Sequence, residues 1–123
     1  MKEIILQYLD GLESGNVENI VSLFSDDAIV HSPLYGDMPA KDFFKSLVAD
    51  TNKSDISLID IFNSIDKLDT CAAHFRYHWT LKDGTATSFE CVDVFQLNEL
   101  GKIKMLTIIY DTHKTRSFFD NIK

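Results

Sequence analysis

The sequence has little cysteine, little proline, one tryptophan and no long apolar run, and each shortage excludes something. Two cysteines, Cys71 and Cys91, cannot make a disulfide framework and lack metal-ligand spacing; they read as buried thiols. Two prolines, Pro33 and Pro39, lie in one stretch, which is expected to be the long loop. No apolar run approaches the ~20 residues of a membrane-spanning helix. Basic residues are outnumbered: 12 Lys and Arg against 19 Asp and Glu leave a formal charge of −7. That balance argues against nucleic acid and against anionic membranes, both of which attract basic surfaces. Met1-Lys2-Glu3-Ile4 opens a helix-like pattern without the apolar core and cleavage site of a signal peptide. The expected location is therefore the cytoplasm. Phosphate loops, metal signatures and nucleotide fingerprints are missing, so no cofactor and no metal are expected.

What is present is aromatic. Nine Phe, four Tyr and one Trp in 123 residues can line a pocket as well as fill a core. The length fits one domain, 1–123. Ile4, Ile5, Tyr8, Leu9 and Leu12 give residues 3–14 one apolar helical face. Gly15 is placed to end that helix and Asn16 to cap a second, which buries Ile20, Val21, Leu23 and Phe24. Ser25-Asp26-Asp27 carries turn chemistry, and Ala28 to His31 reads as a short strand. A third helix is expected over about 40–51, with Phe43, Phe44, Leu47 and Val48 inward.

The second half changes period. Ile56 to Ile65 suggests a strand. Residues 71–81 alternate, with Phe75, Tyr77, Trp79 and Leu81 on one face and His74, Arg76, His78 and Thr80 on the other. Lys82-Asp83-Gly84 signals a hairpin. Residues 86–97 alternate again, and Ile103 to Tyr110 is the last strand. Helices that precede a mostly antiparallel sheet mean α+β. His113 falls in what reads as a polar tail.

Polar residues break the pattern at three places. Asp93 shares its strand parity with Phe89, Cys91, Phe95 and Leu97. A carboxyl group on an apolar face is costly unless it is hydrogen-bonded or neutral, and burial favours the neutral form. A bulge turning it to solvent, or a partner such as Arg76, is the plainer alternative. Tyr8 lies on the apolar face of the first helix; it is either a core tyrosine or a pocket group. His31 and Ser32 meet Pro33, where His31 is a candidate general base, and by alternation only one of the two faces inward. Asp111 is a second candidate base if it turns inward.

The run from Tyr8 to Pro33, Y-L-D-G-L-E-S-G-N-V-E-N-I-V-S-L-F-S-D-D-A-I-V-H-S-P, resembles the amino-terminal segment of the ketosteroid-isomerase and SnoaL-like branch of nuclear-transport-factor-2-like proteins. Cys91-Val92-Asp93-Val94-Phe95-Gln96-Leu97-Asn98, followed by Gly101-Lys102-Ile103, resembles the late strand pair of the isomerases. The resemblance covers nearly the whole chain. It implies three helices on a strongly curved, mostly antiparallel sheet that forms a cone around an apolar pocket. It places Tyr8 at the isomerases' oxyanion-hole tyrosine and Asp93 at the protonated aspartic acid beside it. Their aspartate base, just before the proline, is here Ser32. The electrophilic half of an isomerase site is thus implied and the basic half is not.

The pocket wall expected from these readings contains Phe24, Ser32, Phe44, Phe75, Tyr77, Trp79, Phe89, Cys91, Phe95, Ile108 and Tyr110. The expected partner is a small apolar molecule, handled by an isomerase or cyclase with Tyr8, Asp93 and His31 as the chemical groups, or bound without turnover. A homodimer through the outer sheet face, which carries Val92, Val94 and Gln96, fits either reading, and a dimeric interaction module is the third alternative.

Overall fold

A computed structural model describes residues 1–123. In chain order it has α1 (Lys2–Ser14), α2 (Val17–Val21), β1 (Phe24–Ser32), β2 (Gly36–Pro39), α3 (Ala40–Ala49), β3 (Thr51–Asn63), β4 (Thr70–Leu81), β5 (Ala86–Leu97), β6 (Ile103–Ile109) and α4 (His113–Asn121). The strands form one open six-stranded sheet in the order β2-β1-β6-β5-β4-β3. All neighbours run antiparallel except β1 and β6, which are parallel. This is the expected mixed α+β architecture, with four helices rather than three.

Helix α1 forms because Ile5, Tyr8, Leu9 and Leu12 recur at helical spacing and bury together. Gly15 ends it at φ 67°, a left-handed conformation that glycine adopts without strain. Asn16 then caps α2, its side chain accepting the Asn19 N–H at 3.1 Å. The two helices cross closely. A Cβ added at Gly11 would lie 2.7 Å from Cγ1 of Ile20, which is fully buried. Gly11→Ala gains about 1 kcal/mol of helix propensity. It should still destabilise the protein by roughly 1–2 kcal/mol, because overpacking a filled core costs more. Urea unfolding of the two proteins measures the difference, and an equal or higher midpoint for the variant would mean that Ile20 can retreat.

Strands β4 and β5 alternate as expected. Cys71, Ala73, Phe75, Tyr77, Trp79 and Leu81 are buried along β4, and Cys91, Asp93, Phe95 and Leu97 along β5. The helices α1, α3 and α4 pack on the sheet and close over this apolar face.

Three expectations about local structure are corrected. The stretch between the prolines is not a single loop: Gly36–Pro39 pairs with β1 as an edge strand, where proline's missing N–H costs nothing. Strand β1 starts at Phe24, and the turn chemistry of Ser25-Asp26-Asp27 appears as a register shift against β6 between Phe24 and Ile29. Residues after Asp111 are not an unstructured tail. They form α4, which buries Thr115 and Phe119. Arg116 Nη2 donates to the Pro33 carbonyl at 2.6 Å, and Thr115 Oγ1 lies 3.2 Å from Thr87 Oγ1.

The end of α4 meets a buried carboxylate. Asp50 is 2% exposed, yet it takes Lys123 Nζ at 2.6 Å, Lys82 Nζ at 3.2 Å and the Tyr35 hydroxyl at 2.7 Å. Burial alone would push its carboxyl up. The hydrogen bonds from Lys123, Tyr35 and Lys82 outweigh burial and hold it below the usual carboxylate range.

Candidate functional site

An apolar cavity lies between α1, α3 and the inner face of the sheet. Four strands supply most of its wall: Ser32 from β1, Phe75, Tyr77 and Trp79 from β4, Phe89, Cys91 and Asp93 from β5, and Ile108 from β6. Tyr110 follows β6, and Tyr8 comes from α1. The space in which a water centre can move is about 50 Å³. With the ~1.4 Å water radius added, that is a void roughly 7 Å across. It has room for a compact ring.

Asp93 is 2% exposed and faces this cavity. The strand register explains why so few partners reach it: its neighbours across the sheet are Ala73 and Ile108. The Tyr8 hydroxyl donates to Oδ2 at 3.1 Å. The other oxygen, Oδ1, is buried and has no hydrogen-bond partner. Burial pushes the Asp93 carboxyl up and the Tyr8 hydrogen bond only partly restrains it, leaving it at about 7. Asp93 therefore stands between a neutral donor and an anionic acceptor at neutral pH. Burial, together with the nearby Asp93, raises the Tyr8 hydroxyl well above its ordinary value, so Tyr8 stays protonated. Arg76 is no partner, since its Nη2 binds Glu90 at 2.7 Å on the outer face.

Several expected wall residues lie elsewhere. Phe24, Phe44 and Phe95 do not line the cavity. They pack around the Tyr8 ring at centroid distances of 6.2, 5.9 and 5.1 Å and belong to the core behind it. His31 is also outside. Ser32 takes the inward parity, and the His31 ring Nδ1 sits 2.8 Å from Asp37 with its side chain 35% exposed. Asp111 is exposed, and its Oδ1 accepts the His113 N–H at 2.9 Å. Ser32 is inward, but its Oγ accepts the N–H groups of Leu34 and Tyr35 at 3.1 and 3.0 Å and shapes the turn. No residue of the wall other than Asp93 can take up a proton near neutrality.

The sequence reading missed five wall residues: Leu12, Leu34, Tyr35, Phe43 and Leu47. Leu12 was legible, one helical turn after Tyr8. Phe43 and Phe44 are successive helical residues about 100° apart, so one faces the cavity and the other the core; their order could not be read. Cys71 and Cys91 are free, buried thiols, and burial pushes the Cys91 thiol far up, away from nucleophilic use. No group of three or more His, Cys, Asp or Glu is placed to hold a metal ion. No helix is long and apolar enough to cross a membrane.

The family model for SnoaL-like domains matches residues 5–105. The chain belongs to the SnoaL-like family. No curated protein matches the sequence. Among solved structures, this SnoaL-like domain is similar to SalBIII, described as an epoxide hydrolase/cyclase-like enzyme in pyran ring formation in polyether salinomycin. The two share 23% identity with a TM-score of 0.78, covering 91% of each chain. It is also similar to TerC, co-crystallised with polyporic acid, at 18% identity, a TM-score of 0.78 and 96% of each chain. A nuclear-transport-factor-2-like protein of unknown function from Exiguobacterium sp. 255-15 matches at 20% identity and a TM-score of 0.75, over 88% of this chain and 98% of that one. Likeness at these identities establishes a shared fold.

Proposed function

We propose that the cavity is a small-molecule site in which Asp93, as the acid, hydrogen-bonds an oxygen of a compact apolar compound. This is the electrophilic half of isomerase- or cyclase-type chemistry. The observation that carries the reading is the unpartnered Oδ1 of a buried carboxyl in an otherwise apolar wall. Such an atom is costly unless something fills it, and a ligand oxygen accepts the proton it carries. Tyr8 spends its single proton on Oδ2. Its part is to fix the carboxyl and leave Oδ1 free for the ligand, rather than to act as a second donor. A donor held in a dry site stabilises charge that develops on a carbonyl, enol or ring-ether oxygen. The ring-closing enzyme among the structural neighbours is consistent with that chemistry.

The second reading is binding without turnover. It is favoured by the wall's lack of any proton acceptor besides Asp93, since His31 and Asp111 lie outside.

Cyclohexanone, which accepts but does not donate, separates the readings. Its affinity should be about tenfold lower at pH 8 than at pH 6, following the acid fraction of Asp93. Asp93→Asn should remove that pH dependence. An affinity that ignores both pH and the substitution would exclude Asp93 from the site. Exchange of the ketone's α-hydrogens in D2O, catalysed by the wild type and lost in Asp93→Asn, supports isomerase-type chemistry. Binding without exchange supports the second reading.

A further inference from the structure

We infer that the same cavity also takes a compact organic ammonium cation, with its N–H on Asp93 Oδ1 and its alkyl groups against the aromatic wall. This rests on the cavity being a ligand site, as proposed above, but uses the other form of Asp93 and a different ligand class.

The wall lacks positive charge. Each element packed round Asp93 contributes only neutral groups: Tyr8 from α1, Tyr77 from β4, Cys91 from β5, Tyr110 after β6, Tyr35 from the β1–β2 turn, and Phe43 and Leu47 from α3. Burial holds the hydroxyls of Tyr35, Tyr77 and Tyr110 protonated. Arg116 on α4 lies outside the wall and is engaged with the Pro33 carbonyl. An ionised Asp93 would therefore be a buried carboxylate with one hydrogen bond and no counter-charge, a costly state in an apolar site. A ligand ammonium supplies what is missing.

The aromatic wall favours the same charge. Ring faces carry the negative end of the aromatic quadrupole and attract alkylammonium groups. Tyr77, Phe89 and Tyr110 form a nearly parallel stack, with centroids 5.6 and 3.9 Å apart and planes tilted by 6° and 10°. Tyr110 ends that stack and meets no second ring. The roughly 7 Å void accommodates one small ring bearing a charged nitrogen.

The test uses N-methylpyrrolidinium, a tertiary ammonium with one N–H, titrated into the intact protein by calorimetry between pH 6 and 8.5. Cyclohexanone is the neutral comparison. The cation binds the anionic form of Asp93. Its affinity should rise about tenfold from pH 6 to pH 8 and then level off, opposite to the ketone. Asp93→Asn should abolish cation binding. Tyr110→Leu should weaken it at least threefold through loss of the ring face. Cation affinity that is flat or falls with pH, while the ketone still binds, overturns this proposal and leaves the proposed function standing. Failure of both ligands at every pH overturns both.

Discussion

At pH 8, Asp93→Asn should melt well above the wild type, and at pH 4, where the wild-type carboxyl is neutral in both states, it should melt below it. In the unfolded chain the carboxyl titrates near ~3.9; in the folded protein burial moves it to about 7. Between those values the unfolded chain gives up its proton while the folded protein keeps it. Stability therefore falls as pH rises from about 4 to about 7, and above that the loss is complete. Three pKa units correspond to at most about 4 kcal/mol. Asparagine keeps the shape and can accept from Tyr8, but its amide N–H groups are left short of partners, so roughly 2 kcal/mol of gain is expected. For a domain of this length that is on the order of 5–10 °C. Scanning calorimetry at the two pH values measures it. A variant no more stable than the wild type at pH 8 would show that Asp93 is solvated or already counter-charged in the folded protein.

Asp50→Ala should cost about 3 kcal/mol, and Lys123→Met less than about 1. The asymmetry follows from burial. Asp50 lies beneath the surface and receives three donors, whereas Lys82 and Lys123 are about half exposed and can turn to water when they lose it. Tyr35 cannot. Its hydroxyl would be left without a partner in the half-buried turn that also forms one side of the cavity. Denaturant unfolding gives both numbers, and equal costs for the two variants would refute the buried-node account. Hydrogen exchange should show α4 opening in Asp50→Ala, because Lys123 pairs with Asp50 and Phe119 packs on Tyr35, whose hydroxyl Asp50 holds.

What could be read from the sequence was what one strand or one helix determines alone. The two-residue period fixed β4 and β5 and put Asp93 on the apolar face, and the Asn16 cap placed α2. Long-range packing was not legible. Strand β2 has four residues and no alternation, so it is recognised only by its pairing with β1. Helix α4 has polar residues on most of its surface; its signal was Thr115, Phe118, Phe119 and Ile122 at helical spacing, and Tyr35 and Asp50 complete it. The three phenylalanines assigned to the wall were apolar and inward, as expected. Alternation cannot separate a ring that borders empty space from one that fills the core around Tyr8.

The position of Trp79 has an optical consequence. It is the protein's only tryptophan, 2% exposed, with its indole N–H donated to Thr51 Oγ1 at 2.8 Å and its ring on the cavity wall. Its emission therefore reports a single, fixed environment, free of overlapping signals from other indoles. A compound entering the cavity would change the surroundings of that one fluorophore. Trp79 would thus report occupancy of the proposed site, and a screen of unlabelled compounds would be read from the native protein by the wavelength and intensity of its own light.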